Sequence, residues 1–127
     1  MMTPQQLVAE AKAQIREIAA AEAAQLLQQG VLCLDVREIG EHEIERLPGS
    51  INIPRGVLEF RIGEHPAFAD KRRTLLVYCK TGGRSALAAL NLQRLGYSGV
   101  LSVAGGIETW RSQGLPLERD SNRYGSV

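Results

Sequence analysis

Three short apolar runs, each leading through a turn or a glycine pair into helix-forming sequence, leave few folds open to this chain. They are Val31-Leu32-Cys33-Leu34-Asp35-Val36, Thr74-Leu75-Leu76-Val77-Tyr78 and Val100-Leu101-Ser102-Val103. Such continuous runs predict strands covered on both faces. Residues 4–13 and 20–29, rich in Ala, Gln, Leu and Glu, predict two helices, the second stopped by Gly30. Ile15 and Ile18 between them mark a short edge strand. Glu38 to Glu45 predicts a short polar helix with a solvated acidic face, Pro48-Gly49 a turn, and Ser50 to Pro54 a short strand. Gly56 to Phe60 predicts a short amphipathic helix, and 61–73 a charged connection. Helices are expected over Ala86 to Leu95, ended by Gly96, and from Gly105-Gly106 through Trp110 to Gln113. Strand and helix alternate. The expected fold is therefore α/β, a mainly parallel sheet with helices on both faces.

Length and charge narrow the function. A chain of 127 residues fits one domain. No apolar run approaches the roughly 18 residues of a membrane span. The first residues carry Glu10, Glu17 and Glu22 among alanines and lack a continuous apolar core, so neither a signal nor a transit peptide is expected. A cytoplasmic protein without membrane contact is the expectation. Cys33 and Cys79 cannot build a disulfide framework, and His42 and His65 offer no zinc spacing, so no metal is expected. The net charge is only +1, yet Lys71, Arg72, Arg73, Lys80, Arg84 and Arg94 lie in a stretch, 71–107, without Asp or Glu. The remainder holds nine basic and fourteen acidic residues, a net −5. This asymmetry points to an anionic ligand near the middle of the chain rather than to nucleic acid.

In an open parallel sheet, ligands bind where carboxyl ends of strands feed helix N-termini. Cys79 follows such a strand and opens the loop Cys79-Lys80-Thr81-Gly82-Gly83-Arg84-Ser85. Gly82 and Gly83 permit backbone conformations that turn successive N–H groups inward, and the following helix adds its positive end. With Lys80 and Arg84 beside it, this cradle should favour the thiolate. A buried free cysteine is more often a small hydrophobe. Cys33, between Leu32 and Leu34 in mid-strand, fits that description. Cys79, at the strand end, fits a nucleophile.

Three segments resemble the rhodanese-homology family of single-domain sulfurtransferases. Leu34-Asp35-Val36-Arg37-Glu38, with Glu41 and Leu47-Pro48-Gly49-Ser50-Ile51-Asn52-Ile53-Pro54, is similar to its first signature. Cys79 to Ser85 is similar to its active-site loop, and Gly105-Gly106-Ile107-Glu108-Thr109-Trp110 with Gly114-Leu115-Pro116 to its C-terminal signature. The resemblance implies a rhodanese-like domain over 15–119, an N-terminal helical extension over 1–14 and a frayed tail over 120–127. It implies a sulfane sulfur moved from thiosulfate or a persulfide to cyanide, a small thiol or a protein acceptor, through a persulfide on Cys79. No cofactor is implied. Lys80, Thr81, Gly82, Gly83, Arg84 and Ser85 would bind the substrate. Arg46 stands where family members often carry histidine, so no role of that histidine passes to this chain.

Alternatives remain at this level. Phosphatases and arsenate reductases also place Cys and Arg around an anion, but in Cys-x5-Arg loops, whereas Cys79 to Arg84 is the shorter Cys-x4-Arg. A rhodanese module that only carries sulfur to, or binds, a protein partner is a further reading. Asp35 and Arg37 either line the pocket or form an ion pair supporting the loop. Trp110 is expected to pack the last helix on the core. Arg84, at the positive end of its helix, is expected to face the anion, with a carboxylate from 38–45 as the competing partner.

Overall fold

The structure, a computed structural model, describes residues 1–120. Thr3 opens the first helix, α1 (Pro4–Lys12), through a capping box with Gln6, and Pro4 begins it. Then follow β1 (Glu17–Ile18), α2 (Ala20–Gln28), β2 (Leu32–Asp35), α3 (Ile39–Ile44), β3 (Glu45–Arg46) and β4 (Ile51–Asn52). The second half holds α4 (Leu58–Arg61), β5 (Thr74–Tyr78), α5 (Gly83–Arg94), β6 (Gly99–Val103), α6 (Gly106–Ser112) and β7 (Glu118–Arg119). Five strands form one sheet in the order β1-β6-β5-β2-β4, every pairing parallel. This is the α/β sheet expected, with Ile18 in the predicted edge strand.

Strand alternation divides the core into two apolar layers. Leu34, Leu75, Val77 and Val100 turn to the side of α4 and α5, where Leu58, Ala88, Ala89 and Leu92 meet them. Cys33, Leu76, Tyr78, Leu101 and Val103 turn to the other side, against Ala20 and Ala23 of α2 and Ile107 and Trp110 of α6. Strands buried on both faces must read as continuous apolar runs, as these do. Trp110 is buried and its indole N–H donates to the Pro116 carbonyl at 2.7 Å, the packing role expected of it. Among the described residues no helix is long and apolar enough to cross a membrane.

Three expectations change. The connection 61–73 contains two 3-10 turns, Ile62–Glu64 and Pro66–Phe68, that bury Ile62 and Phe68. Two fully buried side chains of that size contribute roughly 1.5–3 kcal/mol each, so this segment is part of the core. A second, antiparallel sheet pairs β3 with β7, joining Glu45 to Arg119 in register. The acidic face of 38–45 is not simply solvated, because Glu41 and Glu45 hold arginines from distant elements. Of the expected tail, residues 121–127 lie outside the described residues.

Candidate active site

Cys79 is delivered by the central strand β5 to the carboxyl edge of the sheet. Gly82 takes a left-handed conformation (φ 111°) at the N-cap of α5, which an L side chain would resist. The chain thereby folds back over the sulfur. Gly82 N–H donates to Cys79 Sγ at 3.1 Å and Ser85 N–H at 3.3 Å. Ser85 Oγ lies 3.5 Å from Sγ, donates to the Gly82 carbonyl and accepts from Ser102 Oγ at 3.0 Å. Cys79, Ser85 and Ser102 are all buried. Two backbone N–H groups thus donate to one sulfur, while the Ser85 hydroxyl, its own proton on the Gly82 carbonyl, accepts from the Cys79 thiol. Ser102 was not singled out from the sequence, although a lone hydroxyl inside the apolar run Val100 to Val103 marks it.

The reverse side of the loop is held by α6. Ile107 N–H donates to the Cys79 carbonyl at 2.9 Å and Glu108 N–H to the Lys80 carbonyl at 3.1 Å. Gly106 makes this approach possible: a Cβ there would stand 2.4 Å from the Lys80 carbonyl oxygen and 2.5 Å from that of Cys79. The Gly105-Gly106-Ile107-Glu108 string is a bracket for the cysteine loop. With its carbonyls engaged behind, the loop is free to turn N–H groups toward the sulfur.

Asp35 and Arg37 sit on the same edge, since Asp35 pairs with Tyr78 in the sheet register. Asp35 is fully buried and Arg37 nearly so. Arg37 donates through Nη2 (2.7 Å) and Nε (3.0 Å) to the carboxylate of Asp35, which also accepts from Tyr78 Oη at 2.8 Å. His42 Nδ1 lies 2.9 Å from the same carboxylate. Burial opposes a charged Arg37, but the Asp35 carboxylate overrides it and holds the guanidinium protonated. Tyr78 Oη also accepts from Leu47 N–H at 3.2 Å, and Arg37 Nη2 donates to the Glu45 carbonyl at 2.7 Å. Asp35 and Arg37 form an ion pair, and Arg37 also lines an open pocket with Glu41, Lys80 and Glu108.

Arg84 departs from its expected partner. Its Nη1 and Nη2 donate to the two oxygens of Glu41 at 2.9 and 3.1 Å, so the acidic segment holds it, not the cysteine. The reason is topological: α3 crosses the same sheet edge and brings a carboxylate to the first turn of α5. Lys80 stands 3.7 Å from Glu108 and Thr81 is exposed. Through its hydrogen bond Arg84 holds the Glu41 carboxyl at about 2, below its ordinary 4.5. Both side chains are more than a third exposed, so the pair contributes no more than about 1 kcal/mol. A carboxyl held low in the folded state stabilises above its unfolded pKa and loses that stabilisation as pH falls. Arg84→Ala is therefore expected to lower the melting temperature by a few degrees at pH 7. That deficit should shrink between pH 4.5 and 2; a deficit constant with pH would mean the pair is not its source.

A cysteine loop at the carboxyl end of a central parallel strand, cradled by backbone N–H groups and a helix N-terminus, defines a class of α/β proteins with a cysteine held at the sheet edge. Within that class the chain belongs to the rhodanese-like domain family, whose profile matches residues 19–113. It is 34% identical over 89 residues to a sulfurtransferase of Allochromatium vinosum, covering 70% of this chain and 79% of that protein. It is 32% identical over 99 residues to the thiosulfate sulfurtransferase GlpE of Pseudomonas savastanoi pv. phaseolicola, covering 78% and 90%. A solved structure from Rhodopseudomonas palustris, a protein of unknown function described as a possible tyrosine phosphatase, superposes with a TM-score of 0.84 at 32% identity, covering 93% and 96%.

Proposed function

We propose that this protein transfers sulfane sulfur through a persulfide on Cys79. The observation that carries the reading is the convergence of the Gly82 and Ser85 N–H groups on Sγ at 3.1 and 3.3 Å. In the first half-reaction the Cys79 thiolate attacks the outer sulfur of the donor. With thiosulfate the S–S bond breaks, sulfite leaves with its electron pair, and the enzyme holds Cys79–S–S⁻. In the second, cyanide or a thiolate attacks the outer sulfur and Cys79 leaves as thiolate. No external oxidant or reductant enters this cycle. Backbone donors fixed before the reaction stabilise the anionic sulfur as an oxyanion hole stabilises oxygen. Gly83 and Arg84 stand in the first turn of α5, where N–H groups lack intrahelical acceptors, and suit the added outer sulfur.

The description of the Rhodopseudomonas relative raises phosphate-ester hydrolysis as a second reading. Loop length and Arg84 speak against it: the Cys-x4-Arg loop is short, and the guanidinium is occupied by Glu41. Delivery to a protein acceptor in the cytoplasm uses the same first half-reaction, so it extends the proposal. Incubation with thiosulfate should add one sulfur atom to the intact protein, mapped to Cys79 and removed by cyanide. Absence of an adduct, an adduct on Cys33, or turnover of a phosphate ester instead would overturn the reading.

A further inference from the structure

The cations around the cysteine loop are answered by carboxylates. Lys80 Nζ, on the loop itself, stands 3.7 Å from Glu108, and Arg84 donates through both terminal nitrogens to Glu41. Arg37 is held by Asp35, and Arg111 by Glu45. Helix α1 packs on α5 and brings Lys12 Nζ to 4.0 Å from where a Cβ on Gly82 would stand, with Glu17 3.7 Å from that ammonium. Beside the loop, an open pocket of about 250 Å³ takes its charged lining from three cations, Arg37, Lys80 and Arg111, and three carboxylates, Glu41, Glu45 and Glu108.

The basic stretch 71–107, without Asp or Glu, divides between the two ends of the sheet. Lys71, Arg72 and Arg73 precede β5, and Arg94 ends α5, where Lys71 Nζ donates to the Leu95 carbonyl at 2.8 Å. A five-residue strand puts this group roughly 17 Å from Cys79, about two Debye lengths at physiological salt. Only Lys80 and Arg84 stand at the loop, and each carries a carboxylate with it. Arg84 is raised above its ordinary pKa by its hydrogen bond with Glu41, against burial, and also by negative charge on Cys79. Guanidinium, carboxylate and sulfur therefore share one field. A dianion approaching the sulfur meets paired charges in place of free cations.

Resting on the sulfur-transfer reading, we infer that Glu41 and Glu108 are specificity-determining residues: by neutralising Arg84 and Lys80 they remove the attraction of the loop for dianions, so the site favours sulfur donors of lower charge over thiosulfate. The bond changes are the same for both kinds of donor. The Cys79 thiolate attacks the outer sulfur, the S–S bond breaks, and sulfite, or sulfinate from an alkanethiosulfonate, leaves with the electron pair.

The test sets Glu41→Gln, Glu108→Gln and the double variant beside Asp70→Asn, which removes a carboxylate at the far end of β5 from its place near Arg72. The first readout is the ratio of Cys79 alkylation rates with iodoacetate and iodoacetamide, followed by peptide mapping. It needs no sulfur transfer, and a changed thiolate fraction cancels in it. Each single glutamine should raise the ratio about 2-fold and the pair about 4-fold, with the gain shrinking as salt rises from about 0.02 to about 0.5 M. Glu41→Asp, which keeps the charge, and Asp70→Asn should stay within about 1.5-fold of the parent. The second readout is kcat/KM for thiosulfate divided by that for methanethiosulfonate, which carries one charge fewer; it should rise in parallel, through KM. Circular dichroism checks that every variant is folded. A ratio unmoved by the double variant, an equal rise in Asp70→Asn, a rise that salt does not reduce, or a Cys79 that neither reagent reaches would overturn the inference while leaving sulfur transfer intact. A raised alkylation ratio in a protein that transfers no sulfur would keep Glu41 and Glu108 in control of the charge at Cys79 and remove the reading on which the choice of donor rests.

Discussion

Cys79→Ala is expected to reduce sulfur transfer to background, a loss on the order of 10³-fold or more, because the proposed mechanism forms and breaks its S–S bonds at that sulfur. The fold should survive. Truncation leaves the Gly82 and Ser85 N–H groups without the sulfur they bind, at a cost of about 1–3 kcal/mol, short of the stability of an ordinary domain. Cys79→Ser separates the two effects, since a hydroxyl can accept those hydrogen bonds but is a poor sulfur nucleophile. Cys33 is the control. It is buried in the opposite apolar layer, and burial, reinforced by the Asp35 carboxylate, pushes its thiol well above the ordinary range. Such a thiol stays protonated and inert. Cys33→Ala should lower the melting temperature slightly and leave kcat/KM within about twofold. Thiosulfate:cyanide turnover by the three variants, with circular dichroism as the check on folding, decides the matter. Equal losses from Cys33→Ala and Cys79→Ala in folded protein would sink the assignment.

The parallel sheet was legible because burial on both faces leaves a signature in the residues themselves, continuous apolar runs at Leu32–Asp35, Thr74–Tyr78 and Gly99–Val103. Cys79 and its loop were legible for a related reason: a strand end followed by two glycines has local chemistry. What failed to show is what depends on neighbours far along the chain. Ile62 and Phe68 sit among charged residues with no period to betray them, and become core only because 3-10 turns aim them inward. The partner of Arg84 is 43 positions away. Its position at the positive end of α5 argued for an anion, and an anion is there, supplied by Glu41. Gly106 was visible as part of a motif, but its purpose rests on the approach of the Cys79 and Lys80 carbonyls, which only the assembled fold reveals. The packing of α1 on the loop left no local trace at all.

The Asp35 cluster carries the second large expectation. Asp35→Asn keeps the size of the side chain but removes the charge opposite Arg37, whose exposure is only 4%. Breaking one side of a buried pair strands the other, at about 3–5 kcal/mol, which for a domain of this size is a fall in Tm of roughly 10–20 °C. Tyr78→Phe should cost less, about 1–2 kcal/mol, because it removes a hydroxyl that donates to Asp35 and accepts from Leu47 N–H but leaves the charges paired. Replacing both charged partners, as Asp35→Asn with Arg37→Met, should recover part of the loss, since no ion is then left alone. The same variants separate support of the loop from contact with substrate. Asp35 is fully buried, so its carboxylate cannot meet a donor arriving from solvent. Assayed well below its Tm, the folded Asp35→Asn protein should keep kcat/KM within a few-fold of the parent. A variant that melts within about 2 °C of the parent would contradict the pair as a support, and one that stays folded yet transfers no sulfur would move Asp35 into the chemistry.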